Sequence, residues 1–315
     1  MSRRTARVRG PVFVSLALSV VVPAHAHDDD WSAGAGSPTG RGQMSIGFQT
    51  AHTASLVDQD GVAYYDDLTT DLQSVTLGID YRLGERWSVH ASVPFIRRRA
   101  SDPVRNHDQA RLDEPHPESA FIDDGRFHGA WQDWTLGATW HGAIGAFDVT
   151  PHLFVTWPTH DYVFFASAAV GQNLWKARLG VDVARRIGRS NLHASAGYSH
   201  EFVERVLGDD ADRQHYRLSA WYDFSPRLTV RGFAHMRKGE GLTNADVRAR
   251  DPALTSELWY QHDRLLTYDY AIAGLGSTFR FDDRWSVSAS AATMVWVRVN
   301  HDMKYAYDLQ LTRAF

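Results

Sequence analysis

Lys176, Arg178, Arg217, Arg231, Arg237 and Lys304 have one thing in common with Asp80, Asp133, Asp182, Glu201, Asp223 and Asp308. Each occupies a polar position in a segment where polar and apolar side chains alternate. A period of two belongs to a strand, whose successive side chains point to opposite faces. Charges of both signs gathered on one face could line a water-filled bore that screens and orients solutes. They could equally interlock as ion pairs and fill it. Phe154, Trp221, Phe233 and Trp296 are expected on the same inward face. With Arg178, Arg217, Arg231 and Asp133 they make up the candidate solute path.

A second candidate is the link from Pro158 to Gln172, which carries Val163, Phe164, Phe165 and Ala166 in a row. Leaving such rings in water forfeits about 1.5–3 kcal/mol for each. The segment is therefore expected either to fold into a barrel mouth as a constriction or to anchor in the lipopolysaccharide interface.

Other chemistries fare worse. Sixteen histidines invite a metal reading, and His25 and His27 beside Asp28, Asp29 and Asp30 could hold Cu(II) or Ni(II) at a processed amino terminus. Scattered histidines are more often solvated or hydrogen-bonded, so no metal or other cofactor is expected. Ser199 and His200 are adjacent in a strand pattern and point to opposite faces, so they cannot serve as nucleophile and base. There is no nucleophile elbow, no HExxH and no phosphate loop, and the chain is not expected to be an enzyme. The absence of cysteine removes thiol chemistry and disulfide staples.

The elements that must carry these residues follow from the same alternation. About twelve strands can be counted, from Arg41 to the final residue. The clearest hairpin sets Val75, Leu77, Ile79 and Tyr81 against Trp87, Val89, Ala91 and Val93 across a turn at Gly84-Glu85, with Ser74, Thr76, Gly78, Asp80, Ser88, His90 and Ser92 on the partner face. One face suits lipid and the other water. Short turns near 83–86, 142–146, 187–190, 224–227 and 281–284 alternate with longer links near 55–67, 99–128, 158–172, 204–212 and 238–264; the last link, 299–302, is short. A soluble sandwich has no reason to alternate in this way, whereas outer-membrane barrels have short periplasmic turns and longer outer loops. The expectation is an all-β protein, a transmembrane antiparallel up-and-down barrel over 41–315.

Residues 1–26 read as a secretory signal, with Arg3, Arg4, Arg7 and Arg9, then the apolar run Pro11 to Val22, then Ala24-His25-Ala26. Residues 27–40 read as a disordered periplasmic lead-in. Acidic residues already outnumber basic ones, 37 to 33, and loss of the signal's arginines widens the gap, which argues against a nucleic-acid partner. Eleven Trp, twelve Tyr and fifteen Phe in a chain of negative mean hydropathy suit aromatic girdles around a polar interior.

Two resemblances extend this reading. Met303 to Phe315, MKYAYDLQLTRAF, resembles the closing strand of bacterial outer-membrane barrels, whose assembly machinery reads a terminal aromatic, here Phe315. Three stretches resemble the outer-membrane family labelled for the "MetA-pathway of phenol degradation". They are RWSVHASVPFIRRR from Arg86 to Arg99, GAWQDWTLGATW from Gly129 to Trp140, and VTWPTHDY from Val155 to Tyr162 followed by Ala169-Val170-Gly171-Gln172. Gln132 and His160 stand where that family has glycine. The resemblance implies a bacterial outer-membrane transporter, with membrane lipid, the assembly machinery and a small-molecule solute, aromatic or hydrophobic compounds among the candidates, as partners. The competing expectation is a non-conducting structural barrel whose outer loops, especially Ser101 to His128, meet partners; a lipid hydrolase is the weakest.

Overall fold

In the computed structural model, residues 41–101, 123–253 and 255–315 are described. The signal and lead-in, with His25 and His27, and most of the link after residue 101 lie outside them.

The chain forms one closed antiparallel sheet. Its segments are β1 (Gly42–Val57), β2 (Ala63–Arg82), β3 (Trp87–Ser101), β4 (His128–Trp131), β5 (Trp134–Trp140), β6 (Gly142–Ile144), β7 (Phe147–Trp157), β8 (Lys176–Arg186), β9 (Leu192–Val203), β10 (Arg213–Ser225), β11 (Leu228–Gly239), β12 (Asp269–Arg280), β13 (Trp285–Arg298) and β14 (Asn300–Ala314). β4, β5 and β6 follow one line between β3 and β7, so the barrel has twelve staves. Closure comes from β1 on β14, in register from Gln43↔Ala314 to Val57↔Asn300. The Phe315 amide donates to Gly42 O at 2.9 Å and the Gly42 amide to Phe315 O at 3.1 Å, completing the seam at the chain's last residue. β13 and β14 pair only from Trp285↔Arg313 to Ala292↔Ala306 and then diverge.

The alternation has the predicted sense. Met44, Ile46, Phe48, Leu77, Ile79, Leu218, Leu275, Leu309 and Leu311 are exposed on the outside, and Ser74, Thr76, Thr135, His152, Arg178 and Ser199 are buried inside. Leu218 stands mid-strand between Ala196 and Ala234 of the neighbouring strands. Leu218→Arg is expected to cost about 2–4 kcal/mol when the protein is refolded into lipid, measured by denaturant titration. A serine in its place should cost far less.

Four expectations need correction. The link placed at 55–67 is mostly strand, since β1 runs to Val57 and β2 begins at Ala63. The link at 238–264 holds two short helices, α1 (Asn244–Arg250) and α2 (Glu257–Leu265). Thr243 and Asp246 form a reciprocal capping box at the start of α1. The third correction is Trp296, expected inward. A register shift between Ala271 and Ile272 pairs Ile272 with Met294 and Ala271 with Trp296, leaving Val295 as the extra residue. The β-bulge resets the period, so Trp296 turns outward, 36% exposed. Lys304 is likewise off the inward face: it falls at the irregularity where His52 pairs with Tyr305 and Thr53 with Met303, and it is exposed beside Asp302.

Candidate solute path and its inner plug

Two layers of inward side chains occupy the bore. Toward the short turns, polar groups pair across strands. Asp80 accepts from Gln43 at 3.0 Å and contacts His90 Nδ1 at 2.7 Å. Asp182 takes Arg217 Nη2 on both oxygens at 3.0 Å and faces His152 at 3.2 Å. Asp223 accepts from Thr229 at 2.6 Å and lies 3.6 Å from His193, whose ring stacks on Trp221 at 5.1 Å. Arg231 lies over Phe233 at 5.4 Å.

Large inward side chains lie flat on the wall because glycine faces them on the next strand. Phe154 is paired with Gly137 and Phe233 with Gly274, and a Cβ at either glycine would overlap the ring. The same holds for Asp182 beside Gly197.

The outer layer begins with a row of direct cross-strand neighbours, Phe154, Arg178, Glu201 and Arg213, on β7 to β10. Arg213 Nη1 donates to Glu201 Oε1 at 2.9 Å, and Arg178 lies over the Phe154 ring at 5.2 Å. His215 and His235 stand 3.2 Å apart between ring nitrogens.

Above this row the 158–175 link turns into the bore. Phe165 is 3% exposed and packs edge-on against Trp259 of α2 at 6.2 Å, beside Tyr260 and His262. Phe164 sits beneath the Arg264 guanidinium at 3.6 Å. Val163 packs on Leu68, Ala100, Ala166 and Ala168. Link and α2 together fill the mouth with an apolar core that includes Leu56, Leu174, Leu258, Leu265, Tyr268 and Val299.

Polar groups of the wall, of the segment before β4 and of α2 hold the 158–175 link in place. The Asp123 carboxylate accepts the amides of Ser167 at 3.0 Å and Ala168 at 2.6 Å. Asp263 accepts the Ala166 amide at 3.3 Å. Arg98, an inward residue between the exposed Arg97 and Arg99, donates to Ala169 O and Thr70 Oγ1, each at 3.3 Å. Tyr162 donates to Asp133 at 2.7 Å, Gln132 donates to Val170 O, and Arg213 donates to the Gln172 side chain. Gln132 and Asp133 are both buried at the break between β4 and β5, so both can reach the plug.

Burial pushes the Asp263 carboxyl well above the usual carboxylate range and raises Asp123. Both raised values mean that charge on these groups disfavours the seated plug. That cost is absent below the ordinary carboxylate value and appears as pH rises through the raised folded one. The plug is therefore expected to be held more firmly in mild acid than at neutrality. Asp263→Asn keeps an acceptor for the Ala166 amide without the charge. It should strengthen the seated plug at neutral pH by about 1 kcal/mol or more. Hydrogen exchange of the 166–168 amides, corrected for intrinsic rate, measures both effects.

Sequence reasoning placed Arg178, Arg217, Arg231, Asp133, Phe154, Trp221 and Phe233 on the inner face, and the structure has them there. It missed Arg98, Asp123 and Asp263. Arg98 carried a signal, being the one arginine of the Arg97-Arg98-Arg99 run with inward parity.

The fold defines a class, the twelve-stranded transmembrane β-barrel. No family model and no curated protein matches the chain. Among solved structures it is similar to the COG4313 outer membrane channel from Pseudomonas putida F1, at 15% identity and TM-score 0.68, over 91% of this chain and 99% of that one. The NanC porin aligns over 86% of this chain and 100% of its own at 7% identity and TM-score 0.49. The Pseudomonas putida toluene transporter TodX aligns over 96% and 95% at 10% identity and TM-score 0.42.

Proposed function

We propose that this chain is an outer-membrane channel for passive uptake of small solutes, with aromatic or hydrophobic compounds as the favoured class. The observation that carries the reading is a closed barrel with a polar bore, narrowed at one end by the chain's own link and α2. A barrel of twelve staves lies between filled eight-stranded ones and open sixteen-stranded porins, so such a link can control passage. Phe154, Trp221 and Phe233 among charged neighbours suit solutes with an apolar body. The barrel similarity to a channel and the three sequence stretches support kinship with the phenol-degradation family. Phe315, exposed at the seam, suits recognition by the barrel assembly machinery, and the apolar exterior suits membrane lipid.

The depth of the plug favours a second reading, a non-conducting structural barrel. Single-channel recording of the refolded protein in a planar bilayer, with phenol, toluene or a fatty acid added to one side, separates the two. Steady conductance shifted by an aromatic solute supports the channel. A silent barrel overturns it.

A further inference from the structure

Directly beneath the plug the bore carries more positive charge than its own acids match. Lys176, Arg178, Arg213 and Arg237 are all at most 7% exposed. Lys176 interacts electrostatically with Arg213, Arg237, Asp133 and Glu201, and Glu201 with Lys176, Arg178 and Arg213. Arg213 and Arg237 also act on one another. Among the described residues, these four cations thus face the carboxylates of Asp133 and Glu201. Asp133 already takes the Tyr162 hydroxyl and Glu201 takes Arg213. Keeping such a surplus away from bulk water is unfavourable unless an anion compensates it.

Arg237 marks where that anion would sit. Among the described residues its Nε and Nη2 have no hydrogen-bond partner, although the side chain is 3% exposed. It is the direct cross-strand neighbour of both His215 and Tyr270. Its guanidinium lies 5.6 Å from the Tyr268 ring centroid and 5.8 Å from that of Tyr270. Tyr268 belongs to the apolar core of the plug, and Tyr270 to a second apolar cluster with Ile272, Met303 and Ala306. A forked donor with two idle N–H positions matches a carboxylate, and apolar surface on both sides matches a ring.

We infer that Arg237, with Lys176, Arg178 and Arg213 around it, forms a binding site for a small organic anion, a carboxylate carried on an aromatic or apolar body. The site deepens the channel reading, because such a solute must enter the bore to reach it, and it would select among solutes by charge.

Calorimetric titration of the refolded protein in neutral detergent, in a buffer free of carboxylate and phosphate, tests the site without needing transport. The probes are benzoate, benzyl alcohol and benzylammonium. Benzoate is expected to bind more tightly than either of the others, and its affinity to fall as salt rises. Arg237→Gln should weaken benzoate by about tenfold or more, as expected for a charge-assisted hydrogen bond lost. Arg237→Lys should lose less, and neither substitution should alter the weak binding of benzyl alcohol. Equal affinity for benzoate and benzyl alcohol, absence of benzoate binding, or a folded Arg237→Gln that binds benzoate as before overturns the site. The comparison of probes on the unaltered chain decides the matter even where the variant does not fold. Bound benzoate on a barrel that passes no current would leave the site standing and sink the channel reading.

Discussion

Arg98→Met is expected to release the plug while leaving the barrel intact. Arg98 is 1% exposed and is the cation acting on both Asp123 and Asp263. Without it, two buried carboxylates face one another with no compensating charge, a situation that costs about 3–5 kcal/mol when one partner of a buried set is removed. The barrel's ladder bonds do not depend on those carboxylates, so the loss should fall on the link. Hydrogen exchange should rise at the 163–172 amides and stay slow in β1, β2 and β14. Adding Asp123→Asn and Asp263→Asn should restore most of the protection, because the charge problem then disappears along with its remedy. If strand amides open as readily as the link in Arg98→Met, the arginine is holding the barrel and the latch is wrong.

The second large effect is on current. Replacing Val163 to Gln172 by a short glycine-serine link removes Phe164 and Phe165 and the bonds of Ala166, Ser167, Ala168 and Gln172 to Asp123 and to Asp263 of α2. The inward charges toward the short turns are already paired near the wall, and Phe154 and Phe233 lie flat across glycines. Single-channel conductance should rise by about threefold or more, since the narrowest section sets the resistance of a pore. Unchanged conductance would place the narrowest section elsewhere, with the Asp80, Asp182 and Asp223 groups as the next candidates.

What the sequence makes legible follows from where period two holds. Val75 to Val93, Leu218 or Leu309 report their face directly, because membrane strands alternate without interruption between lipid and lumen. The reading fails where an extra residue enters, as at Val295, since one bulge inverts every side chain after it until another corrects it. It also fails in the links. Leu258, Trp259, His262 and Leu265 have helical spacing, but they lie in nine residues between polar stretches, too few for periodicity to stand out. The latch is illegible for a different reason. Arg98, Asp123 and Asp263 are far apart in the chain, and only barrel closure brings them together, whereas the inward arginines could be read one strand at a time.

The glycines opposite Phe154, Phe233 and Asp182 carry a consequence for how such a pore can change. Its calibre is set by atoms that are missing from the lining. A single methyl at position 137 would tip the Phe154 ring off the wall and into the path, narrowing the passage without altering any residue a solute touches. Selectivity in this lining can therefore drift through positions that look conservative, and a survey confined to charged and aromatic residues would overlook them.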